Sequence, residues 1–306
     1  MSIKHKIASK LNGVIRRTHW FNEELFPDCR KFWNYNTFNT DVINLGSTSG
    51  FYAFDYEGLK ICGGGNFALR HNPLSGDQAI LKNYFGYLNP KKSHVIITLC
   101  IFSSLAGSYD FMEDRFYTLL SPISIPHFSY RRQQQVKSWA ESPLRQMPLW
   151  SFYTEAKKLL RPKKRLKLTE LQMEQDAERW IKGWKHEFSI SDFSQPLSLI
   201  NMDGMKDASA ILNELIAFCK ERNIKPVLVL PPMYHTLAEK FDSTARKVLL
   251  TDLVDMVEDK SVKFLNYMDD SRFSHDTTLF QDSFLLNGYG AKKFTKIVLK
   301  DIGVLK

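Results

Sequence analysis

The sequence predicts an α/β protein, and two observations carry that prediction. Mainly apolar runs at 42–46, 94–102 and 225–232 are typical of buried strands, because a strand covered on both faces lacks polar alternation. Amphipathic stretches such as 207–224 and 243–259 space their apolar residues as a helix does. Strands that alternate with helices predict a mostly parallel sheet covered on both faces, in three α/β/α layers.

The first half of the chain supplies three of the predicted strands. Residues 1–38 are expected to form a helical and irregular extension that is rich in aromatic side chains. The run 42–46 ends in glycine, as a buried strand does when it enters a turn. A second short strand is predicted around 60–62, followed by glycines, and a helix is then ended by Asn89-Pro90. The run 94–102 is the third strand.

The sequence changes character between 105 and 200, which we interpret as an inserted helical, aromatic and basic subdomain. Its best helix covers 169–188, where Thr169 and Gln172 form a capping-box pattern. The main domain is therefore expected to consist of 39–104 and 201–306. Aromatic residues are frequent at 108–153, and two explanations stay open for them: the core of the insertion, or a groove for carbohydrate or acyl groups.

Regular alternation of helices and strands resumes after residue 200. Helices are predicted at 207–224, 243–259 and 290–303, and strands at 225–232 and 262–267. Two prolines stop the strand at 225–232.

Composition narrows the function classes. The 306 residues are 43% apolar, enough for a sizeable core, and no run of 18 apolar residues predicts a transmembrane helix. The basic N-terminal segment lacks the apolar region of a secretory signal, so a cytoplasmic protein is expected. Four cysteines lie far apart without a CxxC pair, and no metal site, cofactor or nucleic-acid module is indicated.

The net charge of +9 is concentrated in the segment KKLLRPKKRLK, where seven of eleven residues are basic and none is acidic. Such a cluster indicates contact with a polyanion or with an acidic membrane surface. A solvated loop explains it equally well. The basic residues are Lys157, Lys158, Arg161, Lys163, Lys164, Arg165 and Lys167.

Chemistry is expected where the predicted strands end, because ligands of a parallel α/β sheet bind beyond the carboxyl ends of its strands. The turn GSTSG at 46–50 offers hydroxyl nucleophiles between two glycines, and GGGN at 63–66 offers oxyanion donors. Ser103 follows the third strand as a further substrate-binding candidate. Each signal alone is weak, since GSTSG is more often a plain turn and GGGN lacks the spacing of a dinucleotide site.

The order of these motifs resembles the SGNH (GDSL-like) hydrolase family. The matching segments are NLGSTSGFYAFDY, CGGGNFAL and FQDSFLLNGYGAKKFT. The similarity is greatest to a divergent branch of bacterial cell-envelope and capsular polysaccharide biosynthesis, a branch similar to the D-alanyl-transfer protein of teichoic acid synthesis. The resemblance implies a flavodoxin-like three-layer domain, over about 40–102 and 207–303, in which a serine, an oxyanion Gly and Asn, and an Asp-x-x-His segment meet.

Carried over residue by residue, the resemblance assigns the nucleophile to Thr48 with Ser47 beside it, the oxyanion hole to Gly65 and Asn66, and the orienting carboxylate to Asp282. The position of the catalytic histidine holds Leu285, which cannot accept a proton. Two other histidines are candidates for the missing base. His235 follows the strand at 225–232, and His275 precedes Asp282 by seven residues; each has the alternative explanation of a surface-loop histidine.

Three functional hypotheses follow. The first is a serine-type esterase or O-acyltransferase that acts on a bacterial surface polysaccharide or its precursor. The second is a catalytically degenerate SGNH fold that serves as a binding or scaffold protein for polysaccharide-assembly or membrane acyltransferase partners. A third and weaker one is an acyl or sulfo transfer enzyme of another α/β family with GSTSG as a phosphate-binding turn, although no Walker lysine accompanies it.

Overall fold

The computed structural model describes residues 3–59, 63–105, 114–160 and 168–305. The chain divides into two compact units. One unit consists of Met1–Asn36 and Asp110–Leu166, and the other of Thr37–Tyr109 and Lys167–Lys306. The second unit contains the sheet and is referred to below as the sheet unit; the first is the helical unit.

The sheet has five parallel strands in the order β2-β1-β3-β4-β5. This is the doubly wound order of flavodoxin-like sheets, and helices flank it, so the predicted three-layer α/β/α class is confirmed. The strands are β1 (Val42–Gly46), β2 (Gly64–Asn66), β3 (His94–Thr98), β4 (Lys225–Leu230) and β5 (Lys263–Asn266).

Thirteen α-helices are found within the described residues, together with short π and 3-10 segments. Trp20–Leu25 and Lys247–Thr251 are π-helical, and Phe85–Tyr87, Pro122–Ser124, Pro143–Arg145 and Thr277–Leu279 are 3-10 turns. The α-helices are α1 (Ile3–Ile15), α2 (Cys29–Trp33), α3 (Thr48–Ala53), α4 (Leu74–Tyr84), α5 (Phe116–Leu119), α6 (Tyr130–Glu141), α7 (Leu149–Leu160), α8 (Glu170–Glu187), α9 (Leu199–Glu221), α10 (His235–Ala238), α11 (Ser243–Arg246), α12 (Asp252–Asp255) and α13 (Gly288–Asp301).

The core of the sheet unit follows the period-two alternation of its strands. Ile96 of β3 pairs with Val227 of β4, and Val42 of β1 lies on the same face of the sheet. All three pack in one cluster with Phe294 and Val298 of α13. The alternate strand residues point to the other face, where α4 contacts β1 and α9 contacts β4. The central strands are therefore covered on both faces, which explains their mainly apolar sequence.

The helical unit is held together by a buried ion pair and by side chains that reach the main chain. Arg115 Nη1 lies 3.3 Å from Asp28 Oδ2, and both side chains are almost fully buried. Arg16 donates to the carbonyls of Ala140 and Glu141. These contacts join the N-terminal segment to the residues after 110.

The observed organisation differs from the expected one in two respects. Residues 1–36 and 110–166 form one unit, whereas the sequence suggested a separate N-terminal extension before an insertion at 105–200. The predicted helix at 169–188 is α8, and it belongs to the sheet unit because its aromatic face packs onto residues after β3 and before α13.

Most of the helices and strands predicted from the sequence are found in the sheet unit. The exception is GGGN, which was expected to be a turn: Gly64–Asn66 is itself the edge strand β2, paired with Val42, Ile43 and Asn44. The expected strand at 60–62 lies outside the described residues. Within those residues, no helix combines the length and apolar character needed to cross a bilayer.

Candidate functional site

The turn after β1 is built around a glycine that no other residue can replace without strain. Gly46 has a φ of 132°, and a Cβ there would lie 2.8 Å from Thr98 Cβ and 2.9 Å from its carbonyl oxygen. The Gly46 N–H donates to Asp77 Oδ1 at 3.0 Å. The chain then enters α3, so Ser47, Thr48 and Ser49 are presented at the carboxyl end of the sheet.

A pocket of about 240 Å³ opens over this turn. Its floor carries small polar side chains from the ends of β1 and β3, and its wall carries aromatic side chains. The floor includes Ser47, Thr48, Ser49, Thr98, Cys100 and Ser103; the wall includes Phe102, Trp180, Trp184, Phe188 and Phe284; His71, Asn72, Asp77 and Glu187 complete the polar lining.

Two hydroxyls of the floor have no hydrogen-bond partner within the described part of the chain. They are Ser49 Oγ and Thr98 Oγ1, whose side chains are 5% and 2% exposed as residues. A buried hydroxyl without a partner costs about 1–3 kcal/mol. Both groups therefore favour a polar ligand that enters the pocket and exchanges hydrogen bonds with them.

Three of the five aromatic residues of the wall form one stripe along α8 and its C-terminal end. Trp180, Trp184 and Phe188 are spaced four residues apart, so they share one helix face. The rings of Trp180 and Trp184 stack with centroids 5.2 Å apart, and Trp184 meets the ring of Phe284 edge-on at 5.0 Å. Phe102, after β3, lies 4.8 Å from Trp184. The stripe therefore joins the helix to the two loops that border the pocket.

Polar contacts hold α8 against the segment after β4. Glu170 accepts a hydrogen bond from the Tyr234 hydroxyl, and its Oε1 lies 2.7 Å from His235 Nε2. The hydrogen bond from Tyr234, and to a smaller extent the contact with His235, hold the pKa of Glu170 below its usual value. Lys240 Nζ lies 2.6 Å from both Glu174 and Glu178 of the same helix.

A third contact joins α8 to the segment before α13. The main-chain N–H and the hydroxyl of Ser283 donate to Asp176 Oδ2 at 3.0 and 2.8 Å. The neighbouring Phe284 is part of the pocket wall. The helix is thus fixed at several points, which orients its aromatic stripe over the hydroxyl floor.

The structure brings Ser47, Thr48 and Ser103 into this pocket but not the other residues that the resemblance assigned. Asn66 uses its amide inside the fold: Nδ2 donates to the carbonyls of Phe51 and Phe54 at 2.9 Å, and Oδ1 accepts from Asn44 and Ala68. The adjacent Gly65 is buried within β2. Neither residue lines the pocket.

Asp282 shapes the turn before α13. Its Oδ1 accepts the main-chain N–H groups of Phe284 and Leu285 at 2.9 and 2.8 Å, and no described histidine ring hydrogen-bonds to it. Burial raises the pKa of this carboxyl to about 6, with a smaller contribution from the charge of Asp176. Leu285 is buried in the core.

The two candidate bases pair with each other instead of with the hydroxyls. The rings of His235 and His275 lie with centroids 4.4 Å apart, and His235 lies between Glu170 and Glu239. Neither ring lines the pocket, and neither hydrogen-bonds to Ser47 within the described residues.

The pocket contains one histidine that the sequence reasoning missed. His71 is exposed, has a φ of 55°, and donates its main-chain N–H to Thr48 Oγ1 at 3.2 Å. Its place five residues after Asn66 could have indicated it, because a loop that follows a parallel strand returns to the same edge of the sheet. Cys100 also lines the pocket, but burial raises the pKa of its thiol, so it is not a ready thiolate.

The basic segment can be placed only at its start. Lys157 is exposed near the end of α7. Arg161, Lys163, Lys164, Arg165 and Lys167, and the side chain of Lys158, lie outside the described residues. Among the described side chains, no group of three or more His, Cys, Asp or Glu could hold a metal ion.

No known family matches the sequence, and no curated protein matches it. The geometry of the pocket therefore carries the functional argument, together with the resemblance of the three motifs.

Proposed function

We propose that this chain is a catalytically degenerate SGNH-like protein that binds a carbohydrate or carbohydrate-linked ligand in the pocket above β1 and β3, as part of bacterial surface-polysaccharide assembly. One observation carries the proposal. The pocket combines unpaired buried hydroxyls with an aromatic wall, while the groups expected to make it an esterase are committed to structural contacts. The assignment to polysaccharide assembly rests on the motif resemblance alone.

A sugar suits both surfaces of the pocket. Its hydroxyls are donors and acceptors that can satisfy Ser49 Oγ and Thr98 Oγ1. Its C–H faces can pack on the rings of Trp180 and Trp184, since aromatic side chains supply large rigid contact area. A pocket of about 240 Å³ holds about one sugar-sized group, and its volume lies slightly below the range of ordinary ligand pockets.

A threonine-to-valine pair tests this proposal, because valine keeps the shape of threonine and removes its hydroxyl. Thr98→Val removes an unpaired pocket hydroxyl, so we expect the free protein to gain stability while glycan binding weakens about tenfold. Thr295→Val is the matched control: its hydroxyl is buried outside the pocket and bonds to Ala291 and Asp55, so the variant should lose stability and bind normally.

Binding is measured by tryptophan fluorescence with a panel of neutral, acidic and O-acetylated glycans, because two tryptophans line the pocket. If no glycan in the panel perturbs the fluorescence, or if both valine variants bind alike, the carbohydrate proposal is wrong.

A second candidate function is favoured by His71. A serine-type esterase or O-acyltransferase requires a base near its hydroxyl, and the side chain of His71 lines the same pocket as Ser47 and Thr48. In that mechanism the hydroxyl oxygen attacks the acyl carbon as the imidazole takes its proton. The alkoxide leaving group then receives that proton, and water or a sugar hydroxyl removes the acyl group from the protein.

Turnover of an activated acetyl ester and of O-acetylated glycans separates the two functions. Turnover that is lost in His71→Ala and in Ser47→Ala or Thr48→Ala supports the esterase. Glycan binding without turnover supports the degenerate binding protein.

Attachment to an acidic membrane surface is a further part of the proposal and concerns the helical unit. Helix α7 exposes Leu149 (88%), Trp150 (70%) and Tyr153 (58%), and the basic run follows it in the sequence. Exposed apolar and aromatic side chains beside basic ones are typical of helices that lie on anionic bilayers.

Cosedimentation with vesicles tests this surface. Binding should require anionic lipid, fall with salt, and be lost in Trp150→Ser. Ile123→Ser removes an apolar residue elsewhere in the unit that is even more exposed than Trp150, and this variant should bind as the unmodified protein does. Equal binding to zwitterionic vesicles would contradict the charge argument.

A further inference from the structure

A second cleft lies at the opposite edge of the sheet, where β3, β4 and β5 begin. It has a volume of about 630 Å³. We call it the lysine cleft, after Lys91, Lys220, Lys225 and Lys263 in its lining. Its other polar residues are His94, Asn223 and Ser261, and its apolar residues are Ile224, Pro226, Val227 and Ile302.

The register of the sheet places three of its basic side chains on one face. His94 pairs with Lys225, and Val227 pairs with Lys263. Paired residues of parallel strands point to the same side, and so do residues two apart along a strand. His94, Lys225 and Lys263 therefore leave the sheet on the same face, which is the face covered by α13.

The charges of this cleft are poorly balanced. Lys91, Lys225 and Lys263 form no ion pair within the described residues and are exposed. The carboxylate of Asp259 is bound to Lys220 Nζ at 3.0 Å and also accepts from Ser261. The cleft therefore keeps three unneutralised ammonium groups.

Neighbouring groups do not offset this positive charge. The pKa of His94 is lowered, mainly by burial and further by the charge of Lys225, so the imidazole is neutral at pH 7. Lysines near a helix C-terminus interact favourably with its dipole, which explains Lys220 in the last turn of α9. The helix dipole does not explain the positions of Lys91, Lys225 and Lys263, since Lys91 precedes β3 and the other two lie at the first residues of β4 and β5.

We propose that the lysine cleft binds a small molecule with two linked phosphates, with a ring or other apolar part against Val227 and Ile302, which lie on the same face of the sheet as Lys225 and Lys263. Several ammonium groups without ion pairs to described residues, in the lining of one cleft, favour a ligand with several negative charges. Its volume lies in the range of small-molecule sites. A nucleoside diphosphate fits both surfaces. The site is at the edge of the sheet opposite the aromatic pocket, so this inference stands independently of the function proposed for that pocket.

Isothermal titration of the full chain with UDP, pyrophosphate and inorganic phosphate tests the inference. We expect UDP to bind more tightly than pyrophosphate, pyrophosphate more tightly than phosphate, and all affinities to fall as salt is raised. The double variant Lys225→Gln/Lys263→Gln should weaken UDP binding at least about tenfold, because hydrogen bonds between charged groups are lost. Circular dichroism verifies that it folds.

Two single variants make the test specific. Asp259→Asn removes the carboxylate that holds Lys220, so it should strengthen UDP binding a few-fold. Lys182→Gln, an exposed lysine of α8, should leave binding unchanged. No binding of UDP or pyrophosphate at millimolar concentration, or equal losses in Lys182→Gln and the double variant, would overturn the inference. UDP binding no tighter than phosphate would overturn the role of the apolar surface.

Discussion

Replacing Asp282 by asparagine should stabilise the protein at neutral pH and leave it unchanged in acid. The carboxyl is partly buried, and burial raises its pKa from 3.8 to about 6. The folded state therefore binds a proton more tightly than the unfolded state does, and ionisation of Asp282 destabilises the fold. Asparagine keeps the Oδ1 acceptor for Phe284 and Leu285 and removes the charge.

The size of the effect follows from the two pKa values. A tenfold change in proton affinity is worth about 1.4 kcal/mol, so the rise from 3.8 to about 6 corresponds to about 3 kcal/mol at full ionisation. Water screens the exposed part of the carboxylate, so we expect a gain of about 1–2 kcal/mol. The penalty in the unmodified protein is absent below about pH 4, grows between about pH 4 and pH 6, and stays constant above that range. The advantage of Asp282→Asn should follow the same curve.

Urea denaturation at about pH 3.5 and about pH 8, followed by circular dichroism, measures this difference. Asp192→Asn is the control, because Asp192 is an exposed carboxylate that accepts a similar main-chain hydrogen bond from Ser194. A destabilised Asp282→Asn at pH 8, or the same change at both pH values, would refute the reasoning from burial. The outcome also bears on function, since a carboxyl that is half protonated near pH 6 is a poor partner for a catalytic histidine.

Three further substitutions test other parts of the site, each by urea denaturation. Gly46→Ala should lower the free energy of unfolding by more than about 2 kcal/mol, because φ is positive and the new Cβ meets Thr98. Gly58→Ala is the control, since Gly58 also has a positive φ but open space around it, and it should lose about 1 kcal/mol. Equal losses in the two variants would contradict the steric argument. Trp184→Ala should cost about 3–5 kcal/mol, and a loss below 1 kcal/mol would show that α8 does not depend on its aromatic stripe. Asn66→Ala should cost at least about 2 kcal/mol through the buried carbonyls it leaves unpaired, and a neutral result would mean that these bonds are replaceable.

The fold was predictable because the strands are buried on both faces. The runs at 42–46 and 225–230 contain almost only apolar residues, and that pattern survives without any knowledge of tertiary contacts. Strand β2 was misplaced because Gly64 and Gly65 have no strand propensity. The segment forms a strand because β1 offers hydrogen bonds along its edge. Both positions are glycine because the rings of Tyr56 and Phe67 leave no room for a Cβ there.

The site was predictable only in part, because motif order does not give side-chain direction. Ser47, Thr48 and Ser103 were located from the ends of strands, where backbone topology alone determines position. The roles of Asn66 and His235 could not be inferred, since each depends on partners more than ten residues away in the sequence. The aromatic wall was missed for a similar reason: α8 was assigned to an insertion, and only packing shows that it borders the pocket.

The hydrogen bonds of Asn66 have an evolutionary consequence. Its amide joins β1, β2 and α3, so natural selection for folding alone would retain the residue even in a lineage that has no acyl chemistry. A Gly-Asn motif can therefore outlast the activity with which it is associated. The presence of Asn66 after Gly65 is therefore evidence of a folding requirement and not of turnover.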